Sequence, residues 1–553
     1  MAEDAFIYLR VVQHLLWGHG PVFNVGERVE VYTSPLWLGL LAAGALVLRW
    51  VPLEWIAVAL GLVLSTAGLG LAGSGARLVA RAEGRGGVAV PLGALVVVAL
   101  PPYWDFATSG LETGLTFAWL GASFYSLARL HAAPHQDLPG GRAPLWRAAV
   151  IGLGPLVRPD AGLFSVGFLA LLLALARPVG VRGHARLLAA AAAVPVAYQL
   201  FRMGYFAALV PNPGLAKSAF AAHWEQGSRY ARDFAAPYWL WVPLLVLFAW
   251  WVLEVVRCAR RGRWRACALL AVPAVLGVLH GAYIVRVGGD FMHARLLLPS
   301  LFAALMPVAV VAGRRWWDAV VPVGLVAPWA LVCALWLAPP YKGGLGPHGI
   351  GDERGYYASR TGSPHPVRFA EYNLHRFAVE GRRLQELAWQ RRVVLLGRDP
   401  RALTDPRWQA SLARTVRANV VVGRISIGVR GYGAGPQVHV VDRLGLADPV
   451  AARFRLDERG RPGHEKYLSD VWIVARFAEP GAPVSPELAP AADVAAAQTA
   501  LGCPPLRELM RAVRARLTAG RFLRNVAIAW RLHRLSIPPD PARAAAELCA
   551  TQG

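Results

Sequence analysis

Ten apolar runs punctuate the chain between residues 54 and 338, and no other feature constrains its fold as much. They fall at 54 to 76, 87 to 103, 112 to 130, 145 to 157, 161 to 176, 186 to 202, 237 to 256, 266 to 285, 296 to 313 and 316 to 338. A helix needs about 20 residues to cross a bilayer, so several runs are short; together they still exclude one large soluble domain. Composition points the same way, with 56% of the 553 residues hydrophobic and 17% charged. The chain reads as an α-helical polytopic membrane protein.

Arginine clusters occupy alternate loops: Arg77, Arg81 and Arg85; Arg129, Arg142 and Arg147; Arg177, Arg182 and Arg186; Arg257, Arg260, Arg261, Arg263 and Arg265; Arg314 and Arg315. The positive-inside rule puts those loops in the cytoplasm. The remaining loops then face out, and they hold the polar motifs at 109 to 113, 158 to 160, 203 to 235 and 288 to 295. Ten crossings return the chain to its starting side, so residues 339–553 are expected to form a soluble extracytoplasmic domain. Its strand-like runs at 393 to 396 and 438 to 441 make that domain α/β or mixed. Residues 1–338 form the membrane domain, in which 1–53 make a first outward loop and a short interfacial helix. An outward first loop needs a delivering helix, and the reading expects a further apolar span upstream of Met1.

The net charge of +24 rests almost wholly on arginine. No nucleic-acid signature accompanies it, so the expected partners are membrane lipid and substrates rather than DNA or RNA. The stretch 507 to 533 reads as one basic helix suited to anionic lipid, and the Pro- and Ala-rich stretch 479 to 497 as a linker. The five cysteines form no metal-ligand spacing, and no metal ligands are assigned. Cys503 and Cys549 are free to pair if their domain lies outside. Trp104, Tyr238, Trp239 and Trp241 stand near span ends as an aromatic belt.

The motifs carry a resemblance. Glu3-Asp4-Ala5-Phe6-Ile7, Gly18-His19-Gly20 with Phe23-Asn24, Gly26-Glu27-Arg28-Val29-Glu30 and Tyr32-Thr33-Ser34-Pro35-Leu36-Trp37 resemble the first extracytoplasmic loop of the terminal β-(1→2)-arabinofuranosyltransferases of actinobacterial cell-wall synthesis. The similarity continues in the family's order through Ser109-Gly110-Leu111-Glu112-Thr113, Arg158-Pro159-Asp160, Gly289-Asp290-Phe291-Met292 with Arg295, the run 442 to 449, and Arg461-Pro462-Gly463-His464-Glu465-Lys466. It implies a GT-C-fold enzyme that moves arabinofuranose from decaprenyl or another polyprenyl phosphate to an envelope glycan on the outer face of the cytoplasmic membrane. The implied cofactor is the lipid-linked donor itself, with a divalent metal left unassigned. It also brings Arg10, Asn24, Glu27 and Tyr32 into the candidate substrate-binding set. Where two aspartates are expected this chain has Glu3 then Asp4, so the family's acid is matched best by Asp4.

Transfer of a sugar from a lipid phosphate needs a carboxylate at the reacting centre and cations on the leaving phosphate. Asp4 is the candidate carboxylate; Glu3, which points elsewhere on a helix, is expected to orient a neighbour or bind sugar. If donor and product linkages are both β, as the family suggests, configuration is retained and a simple inverting base does not serve. Arg158 and Asp160, between two apolar runs, are either a salt-bridged strut or a substrate contact. Lys217 suits donor phosphate or a lipid headgroup. Glu112 is a helix-dipole partner or a site residue. Asp290 and Arg295 after Gly288-Gly289 suit a phosphate or a diol, or simply cap a helix. His293 reads as packing. His464 and Asp442 lie on loops that either close over the membrane site or stabilise their own domain. The alternative to an enzyme is a non-catalytic envelope or motor-control protein on the same scaffold, which needs no acid at position 4.

Overall fold

The computed structural model describes residues 1–133, 145–178, 180–219, 221–313, 315–397, 400–456 and 458–550; the loop arginines Arg142 and Arg314 lie outside them. Six helices are long and apolar enough to cross a membrane: Leu53–Ala82, Pro159–Ala176, Gly180–Phe206, Trp241–Arg260, Trp264–Arg286 and Trp317–Trp336. Each coincides with one of the expected runs. The 112 to 130 run is also helical, as Thr113–Ala132, and is largely buried against Leu53–Ala82. Glycines allow that approach: a Cβ added at Gly68 would strike the Phe117 backbone, and one at Gly121 the Gly68 carbonyl. Small residues in register are how membrane helices bring their backbones close.

Three runs are corrected. The 87 to 103 run is not one span but two short helices, Leu92–Ala99 and Pro101–Ala107, because Pro101-Pro102 cannot continue the first ladder. The 145 to 157 run breaks into Leu145–Gly152 and Gly154–Val157 ahead of Pro155. The 296 to 313 run is helical only over Leu298–Leu305; it passes through a single 3₁₀ turn to Val311–Ala312, which pairs with Ala89–Val90. Residues 35–49 do form a short helix, Pro35–Val47, started by Ser34 accepting from the Trp37 N–H.

Beyond the last apolar helix lies a four-stranded sheet of β1 (Val393–Leu395), β2 (Gln409–Ser411), β3 (Val420–Arg424) and β4 (Val438–Asp442), in the order β2-β1-β3-β4. β1, β3 and β4 are parallel, with Val393 opposite Val420 and Val420 opposite Val438; β2 is an antiparallel edge. The parallel strands are buried throughout, which explains their valine-rich composition. Alternation splits them between two cores: Val420, Val422, Val438 and Val440 share one with the membrane helices, whereas Val394, Val421 and Val441 face the C-terminal helices. Among those helices, the stretch expected as a linker holds Ala491–Gly502, with Ala497 fully buried, and the expected single basic helix is two, Pro504–Arg514 and Ala519–Arg534. Cys503 and Cys549 are disulfide-bonded.

Candidate active site

The opening helix, Glu3–Leu16, begins in the interior, with its two acids at the positive end of its own dipole. Helix Gly428–Ala434 of the C-terminal region packs across it. The Gly428 N–H donates to Glu3 Oε1 (2.6 Å), and the Glu3 N–H donates to Glu353 Oε1 (2.7 Å). A side chain at Gly428 would run into the Glu3 carbonyl, so the approach requires glycine. Glu3 is thus engaged with backbone, while Asp4, one residue on, turns to the other side.

Asp4 joins a chain of charges assembled from several helix ends and the loop between Trp264–Arg286 and Leu298–Leu305. Arg295 Nη1 lies 3.5 Å from Asp4 Oδ2 and 3.5 Å from Asp290 Oδ2, and its Nη2 lies 3.4 Å from Glu112 Oε1. Arg158 Nη1 donates to the same Glu112 oxygen (2.5 Å) and its Nε to Asp160 Oδ1 (3.0 Å). His280 Nε2 is 3.0 Å from Asp160 Oδ2, with Ser300 2.7 Å from its other ring nitrogen. Lys217 Nζ reaches Asp290 Oδ1 (3.3 Å) and lies over the Phe291 ring, which His464 meets edge-on. Asp4, Glu112, Arg158, Asp160, Lys217, Asp290 and Arg295, separated by almost 300 positions in sequence, are brought together, and His464 stands at the rim.

The loop bearing Asp290 and Arg295 is wrapped around Tyr230, whose hydroxyl donates to the Met292 carbonyl (3.0 Å) and accepts from the Leu296 N–H (3.1 Å). Gly289 has φ of +75°, and any Cβ there would meet the Tyr230 ring. That is the local reason for the Gly288-Gly289 pair. Despite burial, which favours its neutral form, Lys217 and Arg295 hold the Asp290 carboxyl below the ordinary carboxylate value. Asp4 is shifted the other way: burial raises it against the pull of the same two cations. Burial and the rim arginine Arg461 lower His464 to about 4, leaving it neutral at physiological pH.

Four other candidates do not reach the cluster. Arg10 donates to the carbonyls of Phe23 (2.7 Å), Val438 (2.8 Å) and Gly431. Asn24 pairs with both backbone groups of Val440, at 2.9 and 3.0 Å. Glu27 binds Arg514 (2.8 Å) and Arg476 (3.4 Å). Tyr32 is buried beside Tyr198, close to the Glu30–Arg202 ion pair. The first three fasten the N-terminal loop to the C-terminal domain. Asp442 is likewise internal, accepting from the N–H groups of Leu444 and Ala447.

Sequence reasoning passed over Glu353 and His280. A histidine inside an apolar run was the available signal for the second, since polar groups there need a partner. His293, read as packing, is hydrogen-bonded on both ring nitrogens, to Asp233 (2.6 Å) and Tyr238 (3.0 Å). It borders a cavity of about 760 Å³ beside the opening helix, lined by apolar side chains such as Trp55, Leu62 and Trp336 and by polar ones such as Asp105, Lys342 and Arg354. Among the described residues no group of three or more His, Cys, Asp or Glu side chains is placed to hold a metal ion.

The acids at the start of the opening helix give a stability signature. Burial and the nearby Asp4 charge raise Glu3 and Glu353 to about 8. Between the ordinary glutamate value of 4.5 and about 8 the folded protein therefore retains protons that the unfolded chain has released. Stability consequently falls as pH rises through that window and levels off above it. Thermal unfolding in detergent is expected to show a falling Tm from pH 5 to pH 8, less steep in Glu353→Gln; an unchanged slope in that variant contradicts the assignment.

Comparison with known proteins places the chain among the membrane glycosyltransferases. It is 35% identical over 604 aligned residues, covering 98% of this chain and 92% of the relative, to a terminal β-(1→2)-arabinofuranosyltransferase of Mycobacterium tuberculosis. It is 34% identical over 583, covering 98% and 84%, to the protein of that name from Corynebacterium glutamicum. The family profile described as the AftB family C-terminal domain matches residues 400–547. The chain belongs to the terminal β-(1→2)-arabinofuranosyltransferase family. No solved structure matches it.

Proposed function

We propose that this protein transfers an arabinofuranosyl residue from a polyprenyl-phosphate donor to an envelope glycan, with Asp4 as the reacting carboxylate and Lys217 as the principal grip on the donor phosphate. In the net reaction the acceptor hydroxyl oxygen bonds to the anomeric carbon, the bond from that carbon to the phosphate oxygen breaks, and the polyprenyl phosphate leaves with the electron pair and takes up the hydroxyl proton. The supporting observation is the unequal exposure of the clustered acids. Asp4 keeps 20% of its side-chain surface open, against 1% for Glu112, 10% for Asp160 and 1% for Asp290. Only Asp4 is both open to a substrate and held by a single long cation contact, so it alone has capacity left for a developing positive charge. The neighbouring cavity, lined by both apolar and polar side chains, has room and chemistry for a lipid-linked sugar. We keep the GT-C assignment as part of this reading.

The test is a donor comparison with the protein in membrane vesicles. Labelled pentose is expected to pass to an arabinan acceptor from a polyprenyl-phosphate arabinofuranose and not from a nucleotide sugar. Transfer from the nucleotide sugar alone overturns the donor assignment, and no transfer from any polyprenyl donor favours a non-catalytic role.

The site is read as facing outward from the cytoplasmic membrane, which the Cys503–Cys549 disulfide supports because such bonds persist in oxidising compartments. With Cys258, Cys267 and Cys333 replaced by serine, a cysteine at exposed Arg360 is expected to react with an impermeant thiol reagent on intact cells. One at exposed Arg261 should react only after permeabilisation. The opposite pattern reverses the orientation.

A further inference from the structure

Helix Ala519–Arg534 presents two faces with different chemistry. Its inner face, with Asn525, Ile528, Ala529 and Leu532 buried, packs into the C-terminal domain and onto the end of the membrane helix Gly180–Phe206. Asn525 Nδ2 donates to the Gly204 carbonyl (2.9 Å), and Phe522 lies so close to Gly204 that a Cβ there would strike its ring. Arg28 adds a brace, donating to the carbonyls of Tyr205 (3.0 Å) and Ala515 (2.7 Å). The helix is therefore pinned to the last turn of a candidate span.

Its outer face leaves large apolar side chains open: Leu523 is 68% exposed and Trp530 is 54% exposed. With Ala527 between them they form a stripe at helical spacing. Arginines flank the stripe. Arg507, Arg511, Arg516, Arg524, Arg531 and Arg534 are all exposed, and the only acid from 504 to 534 is Glu508, which Arg524 (3.6 Å) and Arg531 (3.2 Å) share. Arg534 lies over the Trp530 ring. An apolar stripe containing tryptophan, bordered by arginines that far outnumber their one acid, has the chemistry of a helix lying in an anionic lipid interface.

We infer that Ala519–Arg534 is a membrane-surface seat, with Leu523, Ala527 and Trp530 entering the interface of an anionic phospholipid bilayer and the flanking arginines neutralising its phosphate headgroups. It holds the C-terminal domain against the lipid surface on the side of Gly180–Phe206. The inference does not depend on the sugar chemistry proposed above.

The test places a photo-crosslinking phenylalanine at Leu523 in the full chain, reconstituted into vesicles of phosphatidylglycerol or of phosphatidylcholine. Lipid adducts are read by mass. Adducts are expected in phosphatidylglycerol and should fall about fivefold in phosphatidylcholine. A comparable fall is expected in phosphatidylglycerol when Arg524, Arg531 and Arg534 are changed together to glutamine, positions whose exposure leaves the fold intact. Equal adducts in both lipids overturn the headgroup contact. Absence of lipid adducts, or crosslinks to a protein or glycan instead, overturns the seat itself.

Discussion

Asp4→Asn lowers kcat for arabinofuranosyl transfer by a factor on the order of 10² or more, with the donor KM little changed. The amide keeps the shape of the carboxylate and removes its charge, and the folded state has little reason to object. Arg295 retains Asp290 and Glu112 as partners, and the Asp4 contact it loses is a long one at 3.5 Å. The loss therefore falls on the transition state, where positive charge grows at the anomeric carbon, rather than on the ground state. Glu3→Gln is the control. Its carboxyl is closed by the Gly428 N–H, so the amide oxygen keeps that bond and turnover should fall far less. Near-normal turnover in Asp4→Asn would move the role to another acid of the cluster, with Asp160 first because it keeps 10% of its side-chain surface open against 1% for Glu112 and Asp290.

The β linkage in the relatives' name sharpens the question of stereochemistry without changing this expectation. A retained configuration calls for a nucleophile or an ion-pair stabiliser on the sugar face, and both roles need the negative charge that asparagine lacks. Rapid-quench trapping of a glycosylated Asp4 would separate the two.

Long apolar runs made the long helices legible, because a helix that crosses lipid is apolar over about 20 residues. They misled where prolines interrupt an apolar stretch, as at Pro101-Pro102, since apolarity alone does not measure how far one helix runs. The clustered residues were legible for a different reason. Charges such as Arg158 and Asp160, set between apolar runs, are costly unless paired, so their positions announced partners even though the sequence did not say which. Arg10, Asn24 and Glu27 carried the same polar signal but serve to dock the N-terminal loop on strands and helices some 400 to 490 positions downstream. Local pattern cannot distinguish a polar side chain that meets a substrate from one that meets a distant backbone carbonyl. Glu353 was missed on the same ground: it sits in a short charged run after the last span, and only the fold brings it to the Glu3 N–H.

Lys217 and Arg295, which look alike in sequence as phosphate-holding cations, are expected to fail in different ways. Lys217 leaves 29% of its side chain open and has one acidic partner, so an incoming phosphate can take it up at little structural cost. Lys217→Ala should raise the donor KM by about 10- to 100-fold, the loss of one charge-assisted contact, with a smaller change in kcat. Arg295 is only 8% exposed and stands among three carboxylates. Removing it takes the cation from Asp4 and leaves Glu112 with Arg158 and Asp290 with Lys217 alone, and breaking a buried pair in this way costs about 3–5 kcal/mol. Arg295→Ala should therefore lower Tm and the yield of folded protein before any kinetic effect can be read, and Arg295→Lys should recover the charge but not the three-way geometry of the guanidinium. A fully folded Arg295→Ala protein with only a raised KM would mean that this arginine, too, holds substrate rather than the architecture around it.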